Sequence, residues 1–363
     1  MMTTEQTDTI KQFERYEVPR LCDRPDWWRV RVDEIEQTMH AAKKGTVEQI
    51  AVSAGGRPVL AITYGPPRAE PGTATWVSAS ASRDVTAYKT GETPQTVVLL
   101  AGVHGAEPEA VAGAVNLIAL LETGRDLLGQ AKPELLALCD RYRMVIVPCL
   151  NPDGRSISPD HLRGASTDHF RRASQGYWLD GSLVDYPTCK QYAPLPLDRV
   201  GFPGGYPNAA GYNIMHDVAP GDLRTDEARG LLKLVGDEQA DLVLNMHSHS
   251  NGPVVLPASI MAYPLHRTRT AAYMQRVHDE LAAADLSPAP VKPGAPGGGA
   301  INLNNAIALA SGGLALTTEY PVVEAFSFEQ MVEMFYVTVG CCLRHGLDEP
   351  FAPREAVARG RDA

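Results

Sequence analysis

The sequence predicts an α/β fold, with a mixed, centrally parallel sheet and helices on both faces. The main observation is an alternation of short apolar runs with longer helical patterns, which extends from Thr96 to the last helix. Such alternation is typical of a sheet with parallel central strands. A second observation is that the run "VVLLA" is apolar throughout, as expected of a strand that is buried on both faces.

The first 65 residues are predicted to form a helix followed by a β-hairpin. The stretch "DRPDWWRVRVDEIEQTMHAAKKG" has helical spacing, with Pro25 near its start and Gly45 as a stop signal. The strands "TVEQIAVSAG" and "RPVLAITYG" meet at Gly55 and Gly56 and predict the hairpin. Residues 66–95 mix Pro, Gly, Ser and Thr, so we interpret them as an insertion.

The remaining elements follow in the order expected of the alternating fold. Strands are predicted at "TVVLLAGV", "RMVIVPCL", "DLVLNMH" and "GLALTTEYP", and helices at "EPEAVAGAVNLIALLETG", "TDEARGLLKLVGDEQA" and "SFEQMVEMFYVTVGCCLRH". We expect one main domain of residues 45–350. Residues 1–44 form a helical lead-in packed on that domain, and residues 351–363 form a tail.

Composition and charge narrow the classes of partner. The chain has 363 residues, of which 44% are hydrophobic and 21% charged, so it can bury a sizeable core. The formal net charge of -10 argues against a nucleic-acid partner, because phosphate binding needs clustered Lys and Arg. We therefore expect a small peptide or amide substrate.

Targeting patterns and cysteine spacing bear on where the protein is located and on whether it forms disulfides or a thiolate metal site. No run approaches the roughly 18 apolar residues of a membrane span, and the first residues lack a signal-peptide pattern. We therefore predict a cytoplasmic protein without a membrane partner. The six cysteines show no CxxC spacing, so neither a disulfide framework nor a thiolate zinc site is indicated.

Polar residues follow the predicted strands at the points where those strands end. They are His104 and Glu107 after the first parallel strand, Asn151 and Asp153 after the next, His247 and His249 after a third, and Glu319 at the end of a fourth. Because the carboxyl ends of parallel strands form the usual binding edge of such a sheet, we expect these groups to converge on one site. Burying ionisable groups without a partner costs several kcal/mol, so the pattern indicates a ligand.

The residue types at this edge suit a metal. Two histidines and a carboxylate are the protein ligands of a catalytic zinc that keeps one position open for water. A further carboxylate outside the ligand set can take the proton of that water, as general-base hydrolysis requires. The ordered set therefore predicts a hydrolase that depends on zinc.

Four of these segments together resemble the zinc carboxypeptidase family, the carboxypeptidase A-like metallopeptidases. The segments are "HGAEPE", "NPDGR", "NMHSHS" and "LTTEYP", in the family's order, and the resemblance extends over about residues 45–329. It implies that His104, Glu107 and His247 bind one zinc per chain and that Glu319 is the general base. It also implies that the main domain is catalytic.

The choice between the two strand-end histidines depends on the resemblance. On an extended strand, His247 and His249 point to the same face, so the residues alone do not separate them. The family motif places a serine directly after its ligand, and Ser248 follows His247. We therefore expect His249 to line the substrate pocket.

The resemblance also implies residues that contact the substrate. The family polarises the scissile carbonyl with a cation, for which "HFRRAS" offers Arg171, with Arg172 as the alternative. The family's Gly-x-Asp-x-Asn-Arg segment matches "GYNIMHD" here. Asn213 takes the place of the aspartate that supports a zinc-bound histidine, and Met215 and His216 take the Asn-Arg place.

That departure leaves more than one function open. A guanidinium binds a carboxylate bidentately and stays charged, which a histidine does not do reliably at neutral pH. The chain is therefore either a metallocarboxypeptidase that finds its substrate carboxylate with another cation, or an amide hydrolase or deacylase acting on an acylated or modified amino acid. A non-catalytic binding module is the least favoured alternative, because the pattern offers no fourth ligand for a structural zinc.

Overall fold

The computed structural model describes residues 12–67, 94–190, 193–218, 221–249, 254–256, 264–286, 302–322 and 326–351. Most of the proposed insertion and all but the first residue of the proposed tail lie outside these ranges. The division into lead-in, main domain and tail stays a prediction.

Seven strands of the described chain form one mixed sheet. They are β1 (Thr46–Val52), β2 (Pro58–Tyr64), β3 (Thr96–Ala101), β4 (Arg143–Val147), β7 (Leu242–His249), β8 (Val254–Leu256) and β9 (Leu314–Pro321), in the spatial order β1-β2-β4-β3-β7-β9-β8. The four central strands, β4, β3, β7 and β9, are parallel, whereas β1, β2 and β8 pair antiparallel at the edges. The predicted fold class is confirmed. A separate pair joins β5 (Tyr177–Trp178) to β6 (Val200–Phe202).

Helices cover both faces of the sheet. The described α-helices are α1 (Val32–Ala41), α2 (Glu109–Thr123), α3 (Pro133–Cys139), α4 (Pro152–Ile157), α5 (Thr167–Gln175), α6 (Asp226–Asp237), α7 (Pro264–Ala283), α8 (Leu303–Ser311) and α9 (Phe328–Asp348). Short 3-10 turns lie at Thr188–Lys190 and Ile214–His216.

The side-chain alternation of the strands explains the two layers. In β3, Leu99 packs with residues of α2, α7 and α9, whereas Val98, which points the other way, packs with residues of α6 and α8. In β7, Leu244 lies in the same core layer as Leu99, and Val243 lies in the same layer as Val98. Because both faces are covered, the central strands carry apolar residues at nearly every position until they reach the carboxyl edge.

The register of β7 and β9 brings polar side chains together on one face of the sheet. His247 pairs with Glu319 across the two parallel strands, so both side chains lie on the same face at the carboxyl end of the sheet. Two positions earlier, Asn245 pairs with Thr317 on that face. The polar face of β7 therefore begins where its apolar core contacts end.

The first helix begins later than the sequence pattern predicts. It starts at Val32, because the Glu34 carboxylate accepts the backbone N–H groups of Val30 and Arg31 and so caps the helix there. Pro25 instead begins a turn that the Trp28 amide closes by donating to the Pro25 carbonyl, and Trp28 is fully buried in the core. Pro25 therefore lies ahead of the helix and not in its first turn.

Within the described ranges, none of the helices combines the length and the apolar character that a membrane span requires. The cytoplasmic location stays a prediction.

Candidate metal centre

The loop between β3 and α2 supplies His104 and Glu107. This loop is pressed against its neighbours at Gly105, where a Cβ atom would lie 2.0 Å from the carbonyl carbon of Gly154. The Gly105 amide also donates to the Gly205 carbonyl at 2.6 Å. Only a residue without a side chain allows this approach, which fixes the position of His104 one residue earlier.

The three predicted ligands meet in a buried cluster. His104, Glu107 and His247 are each 3% exposed. His104 Nδ1 lies 2.9 Å from Glu107 Oε1, His247 Nδ1 lies 2.9 Å from Glu107 Oε2, and the two Nδ1 atoms are 3.2 Å apart. The structure therefore brings together one donor atom from each of the three residues.

The spacing of these atoms fits a zinc ion. Ligands about 2.0–2.2 Å from a tetrahedral zinc stand roughly 3.3 Å from one another, close to the distances between the three donor atoms. Two imidazole nitrogens that face each other at 3.2 Å need either a shared proton or a cation between them. The donor set of two nitrogens and one carboxylate oxygen is one that zinc prefers.

The proton state of His104 is compatible with a ligand role. Burial lowers the pKa of His104 to about 4, against the opposing effect of Glu107, so the ring is neutral at pH 7. Its Nε2 lies 3.3 Å from Asn213 Oδ1, which can only accept. The single ring proton therefore belongs on Nε2, and Nδ1 keeps its lone pair for a metal.

The other two members of the cluster stabilise each other. Burial alone would raise the pKa of Glu107, but His104 and His247 outweigh it, so the pKa of this carboxyl is lowered and the group is ionised. Burial alone would lower the pKa of His247, but Glu107 outweighs it and raises the pKa. His247 Nε2 is buried and has no hydrogen-bond partner among the described residues. The cluster is thus short of favourable contacts in the absence of a bound cation.

Glu319 lies beside the cluster without joining the ligand set. Its Oε2 atom is buried and has no hydrogen-bond partner in the part of the chain that the structure describes. Burial raises the pKa of this carboxyl to about 7, and the neighbouring His247 opposes the shift. A carboxyl with these properties can exchange a proton near neutral pH.

The remaining predicted pocket residues lie at different distances from this centre. Asn213 contacts His104, and its Nδ2 donates to the Cys189 carbonyl at 3.0 Å. His216 is partly buried, and burial lowers its pKa to about 3, so it is neutral at pH 7. His249 is exposed at the end of β7. Their roles toward a substrate stay predictions.

Both candidate arginines form ion pairs with aspartates at the surface. Arg171 Nη2 binds Asp185 Oδ1 at 2.6 Å, and Arg172 Nε binds Asp168 Oδ2 at 2.8 Å. Within the described part of the chain, no hydrogen bond or ion pair joins either arginine to the His104 cluster. The assignment of a carbonyl-polarising role to Arg171 stays a prediction.

The expectation that all strand-end polar residues converge on one site is wrong for Asn151 and Asp153. Asn151 caps α4, accepting the Gly154 amide at 2.9 Å, and its Nδ2 donates to the Tyr206 carbonyl at 3.1 Å. Asp153 accepts hydrogen bonds from four groups, on Ser53, Gly55, Arg57 and Ala209. Both residues brace loops around the site, because their strand, β4, lies on the far side of β3 from β7.

Two residues at the centre were missed from sequence. The Tyr206 ring lies against the His104 ring with centroids 4.1 Å apart, and the Lys190 ammonium lies 4.3 Å from the centroid of Tyr206. Both belong to the long connection between α5 and α6, where no periodic pattern marks them. The sequence signal that could have identified them is weak: one is an aromatic residue and the other a basic residue within a loop.

A family model matches the part of the chain that contains two of the predicted ligands. Residues 34–181 match the family model described as zinc carboxypeptidase. The resemblance to that family is confirmed. The matched segment contains His104 and Glu107, whereas His247 and Glu319 lie beyond it.

Solved structures of zinc-carboxypeptidase type have the same fold. A metallo-carboxypeptidase from Burkholderia cenocepacia is 18% identical with a TM-score of 0.55, and the match covers 86% of this chain and 67% of that one. A metallo-carboxypeptidase from Pseudomonas aeruginosa, solved with (2-guanidinoethylmercapto)succinic acid, is 17% identical with a TM-score of 0.52, covering 87% and 68%. No curated protein sequence matches the chain significantly. At these identities the structures establish the fold.

Proposed function

We propose that the protein is a zinc-dependent hydrolase of peptide or amide bonds, and specifically a metallocarboxypeptidase. The observation that carries the proposal is the convergence of His104, Glu107 and His247 beside the non-ligating carboxyl of Glu319. A site of three protein ligands with a separate base suits catalysis, whereas a structural zinc takes four protein ligands. In the described residues no fourth His, Cys, Asp or Glu joins the group, which speaks against the binding-module alternative.

A zinc ion held by His104, Glu107 and His247 would supply Lewis-acid polarisation of the scissile carbonyl and would make a nearby water easier to deprotonate. Glu319 takes a proton from the attacking water as its oxygen bonds to the carbonyl carbon. The C–N bond then breaks, and Glu319 returns the proton to the leaving nitrogen. The products are a carboxylic acid and an amine, so one water is consumed for each bond cut.

The carboxyl of Glu319 is suited to both proton transfers. Its raised pKa brings its proton affinity closer to that of the groups with which it must exchange protons. Asn213 holds His104 in the tautomer that presents Nδ1. The Tyr206 ring packs against the same imidazole at an angle of 35° and limits its rotation.

One observation on the substrate-binding residues favours the second candidate function. His216 stands in the place that the resemblance gives to an arginine, and it is neutral at pH 7. An amide hydrolase or deacylase that acts on a substrate without a terminal carboxylate would not need that arginine. In favour of a carboxylate substrate, the Pseudomonas aeruginosa enzyme was solved with a succinic acid derivative, which carries two carboxyl groups.

The test is hydrolysis of a panel of N-acetyl dipeptides, each prepared with a free C-terminal acid and as the amide. We expect amide-bond cleavage that a chelator abolishes and added zinc restores. Cleavage that survives complete removal of metal would contradict the proposal. Preference for the amide series would favour the amide-hydrolase alternative over the carboxypeptidase.

A further inference from the structure

Lys190 is the last residue of the 3-10 turn Thr188–Lys190, which runs alongside the metal centre. The Cys189 carbonyl of this turn accepts a hydrogen bond from Asn213 Nδ2 at 3.0 Å. The Oδ1 atom of the same amide lies 3.3 Å from His104 Nε2. One asparagine thus ties the backbone that carries Lys190 to a ligand of the proposed zinc.

The ammonium of Lys190 lies over the Tyr206 ring. Its nitrogen is 4.3 Å from the ring centroid, and the Tyr206 ring lies beside the His104 ring at an angle of 35°, with centroids 4.1 Å apart. Tyr206 is buried, and its carbonyl accepts a hydrogen bond from Asn151 Nδ2. The aromatic face therefore places the ammonium beside the ring of a predicted zinc ligand.

Lys190 has no anionic partner among the described residues. By contrast, three arginines have partners. Arg171 pairs with Asp185 and Arg172 with Asp168, and Arg163 donates to the Phe326 carbonyl at 2.7 Å. An ammonium that is partly removed from water and lacks a carboxylate partner favours the approach of an anion.

The charge of Lys190 acts on the position where the family keeps its substrate-binding arginine. Burial is the main cause of the lowered pKa of His216, and Lys190 is the largest electrostatic cause after it. Lys190 also opposes the rise in the pKa of Glu319. The positive charge therefore lies close enough to act on both the neutral histidine and the proposed general base.

We propose that Lys190 binds the terminal carboxylate of the substrate and so replaces the missing arginine. The proposal rests on the proposed hydrolase function and gives that function its substrate class, a peptide or acylated amino acid with a free acid end. A lysine binds a carboxylate as a point charge and not as a bidentate fork. We therefore expect a looser requirement for the orientation of the carboxylate than an arginine would impose.

The first experiment compares matched N-acetyl dipeptides, free acid against amide, on the zinc-loaded wild type, Lys190→Met and Lys190→Arg. In Lys190→Met, kcat/KM for the acid should fall about 10- to 100-fold, mainly through KM, because one charged partner is lost. The amide should change less than about threefold, and Lys190→Arg should keep most of the acid preference. Lys233→Met, which removes an exposed lysine on α6, is the matched control and should change neither substrate.

A different pattern would overturn the proposal. An equal fall in kcat for acid and amide would mean that Lys190 stabilises the developing oxyanion and does not bind the terminal carboxylate. Unchanged acid preference in Lys190→Met would remove Lys190 from recognition altogether.

The second experiment is independent of turnover. Binding of N-acetyl amino acids and their amides is measured by ligand-observed NMR on the wild type and Lys190→Met. We expect the acids to bind the wild type more tightly than the amides, and the difference to disappear in the variant. If no substrate is cleaved but this difference is present, the hydrolase function fails while Lys190 as a carboxylate site stands; if cleavage occurs and the difference is absent, the hydrolase function stands and Lys190 is not the carboxylate site.

Discussion

A partly buried cluster around Asp160 and the buried metal centre differ in how their charges are satisfied. Around Asp160, the guanidinium groups of Arg15, Arg24 and Arg31 all contact one carboxylate, with Arg24 at 3.0 Å and Arg31 at 2.8 Å. In the metal centre, two imidazoles and a carboxylate face one another, and within the described ranges His247 Nε2 has no hydrogen-bond partner. The charges of the Asp160 cluster are paired within the chain, whereas the described part of the metal centre leaves a buried nitrogen unpaired.

The difference separates a structural cluster from a functional one. Arginine and aspartate satisfy each other, so the Asp160 cluster fastens the N-terminal segment to the loop before α5 and needs no ligand. Histidines that face each other across a carboxylate, next to another buried carboxyl, need a cation from outside the chain. The following predictions test this contrast.

The largest effect is expected at Glu319. Replacement by Gln keeps the shape of the side chain and removes its basicity, so kcat should fall about 10²- to 10⁴-fold while zinc content stays at the wild-type level. Steady-state kinetics and metal analysis of the same sample check both parts. Glu134→Gln, at an exposed position of α3, is the control. Turnover close to wild type would place the base on another residue.

A smaller effect is expected at Asn213. Because its Oδ1 atom fixes the tautomer of His104, Asn213→Ala should weaken zinc binding about 10- to 100-fold, as measured by competition with a chelator. Asn213→Asp keeps an acceptor at the same place and should restore the affinity. Equal weakening in both variants would mean that the bond to the Cys189 carbonyl matters and the bond to His104 does not.

The Asp160 cluster should affect stability and not zinc. Burial alone would raise the pKa of Asp160, but hydrogen bonds from Arg31 and Arg15 outweigh it and lower the pKa to about 2. Since the folded-state pKa lies below the unfolded value of about 3.9, the stabilisation is complete above roughly pH 5 and is lost as pH falls toward 2. Asp160→Asn should therefore cost on the order of 2 kcal/mol at pH 7, and less as the pH is lowered.

Urea unfolding at several pH values measures this cost. A deficit that does not change between pH 7 and pH 3 would indicate lost packing in place of lost charge pairing. Zinc content is measured in parallel and should stay normal.

The smallest effect is expected at Asp168, whose ion pair with Arg172 is exposed on α5. Exposed pairs contribute little because water and salt screen them, so Asp168→Asn should change the free energy of unfolding by less than about 0.5 kcal/mol. A cost comparable to that of Asp160→Asn would show that the number of ion pairs, and not their burial, sets stability here.

Sequence reasoning recovered the parts of the molecule that local pattern determines. The apolar runs of β3, β4, β7 and β9 and the HxxE spacing of His104 and Glu107 are readable without tertiary knowledge. The same reasoning brought His247 and Glu319 to one edge of the sheet, because parallel strands end together.

The parts that it missed depend on long-range contacts. Tyr206 reaches His104 because Asn151, 55 positions away, holds its carbonyl. Lys190 is placed by the bond between Asn213 and the Cys189 carbonyl. No periodicity marks either residue. The start of α1 was misplaced for a similar reason, since the cap formed by Glu34 overrides the signal of Pro25.

The most direct test of the central contrast is the zinc content of the purified protein. The wild type should hold close to one zinc per chain, and the double variant His104→Ala, His247→Ala should hold almost none. His40→Ala, which changes an exposed histidine of α1, should keep the full amount. Full zinc occupancy in the double variant would contradict the assignment of His104, Glu107 and His247 as the metal site.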